Sequence, residues 1–168
     1  FNLNLDEIMD AIDIKLLELL QQNAELTIQE LSAEVHLSTT PCWKRIKQLK
    51  NNGYINKTVS LVDRKRVGSN VTAMVFVTVN THDQQKIKIF AETVLEIPEV
   101  IECYRMSGEI DYLLKVVVSD IESYDTFYKN LIEKVQFLKV TSHFAIEEIK
   151  STTEIPLSQL EKLSKKTN

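Results

Sequence analysis

Apolar positions in the first third of the chain recur at helical spacing. Ile12, Leu16, Leu19 and Leu20 stand at i, i+4, i+7 and i+8, one stripe of a helix over residues 10–22. Asn23, Ala24 and Glu25 break the pattern. Thr27-Ile28-Gln29-Glu30 then reads as a capping box, with Leu26 and Leu31 spaced for a hydrophobic staple. Ile28, Leu31 and Val35 form the inner face of this short second helix. Ser38 stands where a third helix needs its cap, and Pro41 falls in the first turn, where a missing N–H costs nothing. Cys42, Ile46 and Leu49 make the inner face of that third helix, and Gly53 sits at its end, where left-handed backbone is wanted. Only His36, Leu37 and the caps separate the second helix from the third. That is the spacing of a helix-turn-helix, whose second element is presented outward.

From residue 54 the period shifts to two. Residues 54–62 (YINKTVSLV) read as a strand, and residues 63–69 (DRKRVGS) as a linker. Residues 72–80 (TAMVFVTVN) predict a strand that is apolar on both faces. Residues 83–96 carry Ile87, Phe90, Ala91 and Val94 at helical spacing and are closed by Pro98. Strands follow at 100–106 and 112–118, joined by the tight turn Ser107-Gly108-Glu109-Ile110. A helix starting at Asp120 or Ser123 carries Tyr124, Phe127, Leu131 and Val135, and a last strand is expected over 140–149. The order strand–helix–strand–strand–helix–strand is the ferredoxin-like plan. The fold class is therefore α+β: a helix-turn-helix (winged-helix-like) domain with its trailing strand over residues 1–62, the linker 63–69, a ferredoxin-like βαββαβ sandwich over 70–157, and a solvated tail over 158–168. Residues 1–8 are assigned no role. Two helices cover only one face of a four-stranded sheet, so the other apolar face calls for a partner. The simplest is the same sheet of a second copy, a two-fold homodimer.

Composition sets the bounds. The 168 residues are 43% hydrophobic with three glycines and three prolines, too few for a collagen-like chain and too apolar for disorder. No apolar run approaches the roughly 20 residues that cross a bilayer, and residues 1–10 lack a secretory pattern, so no membrane association is expected. Cys42 and Cys103 form no disulfide framework or metal spacing, which makes a reducing cytoplasm the default location.

Charge changes the picture more. The net charge is −4, yet residues 36–66 hold eight bases and one acid, a local +7. Helical projection puts Thr40, Lys44, Lys47 and Asn51 opposite the buried stripe of the third helix, with Trp43 and Arg45 flanking them. Cations, hydroxyls and an amide suit phosphates and base edges of double-stranded DNA, the side chains near the helix start (Ser38, Thr39, Thr40) being placed to read bases. Trp43 either covers the edge of the core or contacts the DNA. Arg64, Lys65 and Arg66 either touch phosphate or stay in water. A dimer would present two such helices to half-sites about 34–36 Å apart.

Catalysis finds no support. His36, His82 and His143 lie singly, and HExxH, CxxC, GxSxG, P-loop and GxGxxG patterns do not occur. No catalytic residue, metal ligand or tightly bound cofactor is expected. The competing reading is a sensing module that acts through protein partners, against which the +7 block counts.

MDAIDIKLLELLQQNAELTIQELS, LSTTPCWKRIKQLKNNGYI and SGEIDYLLKV together resemble the Lrp/AsnC (feast/famine) family of transcription regulators over residues 9–157, and SGEIDYLLK is more similar to its leucine-responsive branch. The resemblance implies a sequence-specific regulator tuned by a free amino acid such as leucine or methionine, with dimers assembling into an octamer or similar ring. Carried over by position, the effector residues it implies are Met106, Ser107, Gly108 and Asp111, with Thr141 and Ser142 on the last strand. Asp111 would hold the ammonium and turn N–H groups around Gly108 the carboxylate. On its own, the same turn also reads as a hairpin in which Gly108 supplies positive φ and Asp111 a cap. One departure stands out: His36 occupies a turn position where the family usually has Gly, at a cost of about 1 kcal/mol if its backbone is left-handed.

Overall fold

The computed structural model describes residues 9–79, 84–135 and 137–157, with the backbone alone at 84–86. Residues 1–8, the tail 158–168 and His82 lie outside these. The elements run α1 (Ala11–Gln22), α2 (Ile28–Glu34), α3 (Thr39–Asn51), β1 (Val71–Thr78), α4 (Gln84–Leu95), β2 (Val100–Arg105), β3 (Tyr112–Val118), α5 (Ile121–Lys134) and β4 (Lys139–Phe144). They form two units. One comprises the chain up to residue 60 together with the chain from residue 150, and the other comprises 61–149.

In the first unit each helix begins where the sequence places a cap. Asp10 caps α1 in a box with Asp13, and Thr27 caps α2 in a box with Glu30. Leu16, Leu17, Leu31, Val35, Cys42 and Leu49 are the buried core, with Ile12, Leu19, Leu20, Ile28 and Ile46 packed around it. His36 is left-handed at φ 54, as is Gly53 at φ 78, so the turn of the helix pair accepts the strain that glycine would avoid. The expected strand over 54–62 does not form. Strands need a neighbouring strand to pair with, and none among the described residues pairs with this segment; Val59, Leu61 and Val62 are exposed. Residues 150–157, expected in the second domain, pack instead on the first unit. The Gln21 side chain accepts from the Ile155 N–H at 2.7 Å and donates to the Ile155 carbonyl at 3.2 Å, and Leu157 packs on the helical core.

The second unit is a four-stranded antiparallel sheet in the order β2-β3-β1-β4. Alternate residues of β1 and β3, among them Val75, Val77, Leu114 and Val116, are fully buried against Phe90 of α4 and Phe127 and Leu131 of α5. The intervening positions, Met74 and Phe76 on β1 and Leu113 and Val117 on β3, form the opposite, open face and are half-buried by one another. Lys115 pairs with Glu102 there at 2.8 Å, and Phe76 meets His143 edge-on at 5.3 Å between ring centres. β4 stops at Phe144 rather than reaching 149. Phe144 pairs with Ala73 and the Ala145 N–H reaches the Thr72 carbonyl at 2.9 Å, after which β1 ends. The segment 63–69 is a turn around Asp63, whose carboxylate accepts the N–H groups of Lys65 and Arg66 at 3.0 and 3.2 Å. Arg64 donates to Thr72 at 2.6 Å and pairs with Glu148, so its cation is committed within the unit.

Candidate nucleic-acid interface and effector turn

α3 stands with its apolar side on the core and its polar side in solvent. Cys42 and Leu49 are buried, while Ser38, Thr39, Thr40, Trp43, Lys44, Lys47 and Asn51 are exposed. Ser38 caps α3 through its backbone conformation and makes no side-chain capping bond. Trp43 is 52% exposed, and the Lys47 ammonium stands 4.9 Å from the centre of its ring. A cation over an indole face keeps both groups on one outward surface. Among the described residues, Lys44 and Lys47 have no acidic partner. Their charge is available to phosphate.

Arg45 differs. Its Nη1 lies 2.7 Å from Asp10 and 2.9 Å from Asp13, the two residues that cap α1. Burial opposes ionisation of Asp10, but the Asp13 N–H and the Arg45 guanidinium outweigh it and hold the Asp10 carboxyl below its ordinary 3.8. A depressed carboxyl pKa stabilises the fold above the unfolded value and loses that contribution as pH falls through the folded one. Melting of the protein across pH 5 to 2 is therefore expected to fall less steeply for Asp10→Asn than for the parent. Parallel curves would count against this pairing.

In the second unit the β2–β3 connection is fixed by Asp111. The Met106 N–H donates to the Asp111 carbonyl at 2.8 Å, the Asp111 N–H to the Val77 carbonyl at 3.0 Å, and the Val79 N–H to Asp111 Oδ2 at 2.8 Å. Gly108 has φ 117, a region closed to side chains, so glycine is required there by the backbone alone. Met106, Ser107, Gly108 and Glu109 are exposed at the tip, and Asp111 is half-buried at its base. Thr141 and Ser142 do not share a site. Successive strand residues face opposite ways, and Ser142 hydrogen-bonds Tyr124 on the helical side. Thr141 pairs with Phe76 on the open side. There it joins Glu109 and Ile110 of the turn, with Thr78, Leu138, Lys139 and His143, around an open concavity of about 600 Å³. Strand alternation in the sequence already contained the Thr141/Ser142 split. The approach of Lys139 and His143 to the turn needed the β1–β4 register.

No group of three or more His, Cys, Asp or Glu among the described residues stands together as a metal site, and no helix there is long and apolar enough to cross a membrane.

A helix-turn-helix with a cationic outer face, joined to a separate two-layer α+β unit, is the architecture of a DNA-binding transcription regulator with its own ligand-binding domain. Comparison with known proteins agrees. Residues 9–56 match a winged helix-turn-helix DNA-binding family model, and residues 72–155 match that of the Lrp/AsnC ligand binding domain. The chain is 45% identical over 150 residues to the DNA-binding transcriptional activator DecR of Escherichia coli K12, covering 89% of this chain and 99% of that one. It is 42% identical over 151 residues to the glutamate uptake regulatory protein of Zymomonas mobilis, covering 90% and 92%. Among solved structures, an AsnC family transcriptional regulator from Agrobacterium tumefaciens superposes with a TM-score of 0.88 at 47% identity, over 90% of this chain and 99% of that one. The transcriptional regulator NMB0573/L-Met complex from Neisseria meningitidis superposes at 0.87 with 35% identity, over the same shares. The chain belongs to the Lrp/AsnC family of transcription regulators.

Proposed function

We propose that the protein is a cytoplasmic, sequence-specific regulator that grips operator DNA with α3 and whose grip or assembly is set by a free amino acid. The observation that carries the first half is the outward face of α3, where Lys44 and Lys47 stand exposed, with no acidic partner among the described residues, beside Ser38, Thr39, Thr40 and Asn51. In this reading the two lysines take phosphates, the residues at the helix start read base edges, and Trp43 with Lys47 stacked on it lies along the backbone. Salt resolves it. Lys44→Ala is expected to lower the slope of log affinity against log salt by about 1, uniformly across duplex sequences, and to leave the melting temperature of the protein unchanged. A slope identical to the parent's removes that face from the interface.

For the effector, the turn offers the two charges that a free amino acid needs. Asp111 keeps one carboxylate oxygen beyond its bond to Val79, and the tip around Gly108 carries backbone N–H groups that bond to nothing else among the described residues. An ammonium on the first and a carboxylate on the second would satisfy the two opposite charges of a free α-amino acid. Ser142, committed to Tyr124 on the other side of the sheet, is left out of this site, and Thr141 borders the adjoining concavity. The L-Met complex of the Neisseria relative supports an amino acid as the ligand. Leucine, methionine or a similar apolar amino acid is the first to test, by calorimetric titration of all twenty. The open face of the sheet, with Met74, Phe76, Leu113 and Val117, is read as the surface that joins two copies, and larger rings would build on that dimer.

A further inference from the structure

Arg45 flanks the cationic side of α3 that carries Lys44 and Lys47, yet its charge is spent on carboxylates of the same unit. Asp10 Oδ1 accepts the Asp13 N–H at 2.9 Å and Asp13 Oδ2 accepts the Asp10 N–H at 3.4 Å, the reciprocal cap of α1. The other oxygen of each carboxylate, Asp10 Oδ2 and Asp13 Oδ1, faces Arg45 at 2.7 and 2.9 Å. All four oxygens are thus used once, two on the start of α1 and two on α3. The Arg45 and Asp13 side chains are only 30% and 20% exposed. Two carboxylates around one guanidinium also leave a local net charge of −1, which repels a phosphate.

We infer that Arg45 is a positioning residue rather than a DNA ligand: with Asp10 and Asp13 it fastens α3 to the capped start of α1 and so fixes the angle at which the outer face of α3 meets the groove. The inference rests on α3 being the DNA-facing helix. Its physical content is that base reading needs side chains held within a fraction of an ångström, whereas phosphate attraction tolerates a helix that rocks. Loosening the fastening therefore removes discrimination between sequences before it removes affinity for DNA.

The test uses the full-length chain, a duplex enriched by the parent from a randomised pool, and poly(dI-dC) as the unspecific competitor. Arg45→Gln and Asp10→Asn are each expected to lower the preference for the enriched duplex about tenfold while the salt slope stays that of the parent. Asn caps a helix about as well as Asp, so Asp10→Asn keeps the start of α1, and circular dichroism melting of each variant checks that it is folded. The two substitutions also separate the alternatives by sign. If Arg45 holds a phosphate, Arg45→Gln lowers the salt slope by about 1, and Asp10→Asn, by releasing the arginine, tightens binding to both duplexes with the preference unchanged. Either result overturns the inference, as does an equal loss on both duplexes, which would mark mere loss of stability. Failure of the parent itself to bind either duplex would refute the reading of α3 on which the inference rests.

Discussion

Leu113→Lys is expected to turn a dimer into a monomer without unfolding the chain. Leu113 lies on the open face of the sheet, paired across from Phe76, with its side chain away from the core that α4 and α5 close. A charge there costs a single chain less than in the closed core, because Leu113 is only half-buried and a lysine stem can stay on the sheet while its ammonium reaches water. On a two-fold interface the same substitution buries two unpaired ammonium groups, each at a cost of several kcal/mol. Dimer dissociation should rise by more than a hundredfold, read by sedimentation velocity. Binding to a two-half-site duplex should weaken by about 10²–10⁴, the gain that linking two binding modules supplies. If parent and variant sediment alike, the open face is not the interface.

Asp111→Asn is expected to abolish the effector response and to leave DNA binding in the absence of effector as it was. Asparagine still accepts the Val79 N–H, so the hairpin keeps its bond, but the negative charge for an ammonium is gone. A hydrogen bond to a charged group contributes about 1.5–3 kcal/mol, a tenfold to hundredfold loss of effector affinity in calorimetry. Asp111→Ala goes further. It leaves the Val79 N–H without its acceptor, a penalty of about 1–3 kcal/mol, and the melting temperature should fall with it. A chain with Asn at 111 that binds its effector normally would show that Asp111 serves only the turn.

What could be read from the residues, and what could not, divides along physical lines. α2 is announced by four residues, because the Thr27–Glu30 box is local chemistry that holds whatever surrounds it. β1 and β3 were legible from their apolar faces, and the exposed lysines of α3 from helical projection. The segment 54–62 misled because β character in a sequence states a capacity to pair and says nothing of whether a neighbour is present. β4 ends at Phe144, short of its β-rich pattern, for a similar reason: its end is set by the length of β1. Arg45 reads as one more cation of a basic helix, and its role appears only when α1 brings two carboxylates from 32 and 35 residues upstream. Its tie to Asp13 was invisible to any local pattern, as was the approach of Lys139 and His143 to the turn.

The clip between Gln21 and Ile155, with Leu157 on the helical core, has a consequence for how the molecule is made. In chain order, residues 61–149 are an insertion into the DNA-reading unit, so that unit stays unfinished on the ribosome until residue 157 has emerged. A fragment cut after residue 60 would carry every side chain of α3 and still lack its closing piece. An isolated reading head worth building would splice residues 150–157 back on behind residue 60 with a short flexible loop.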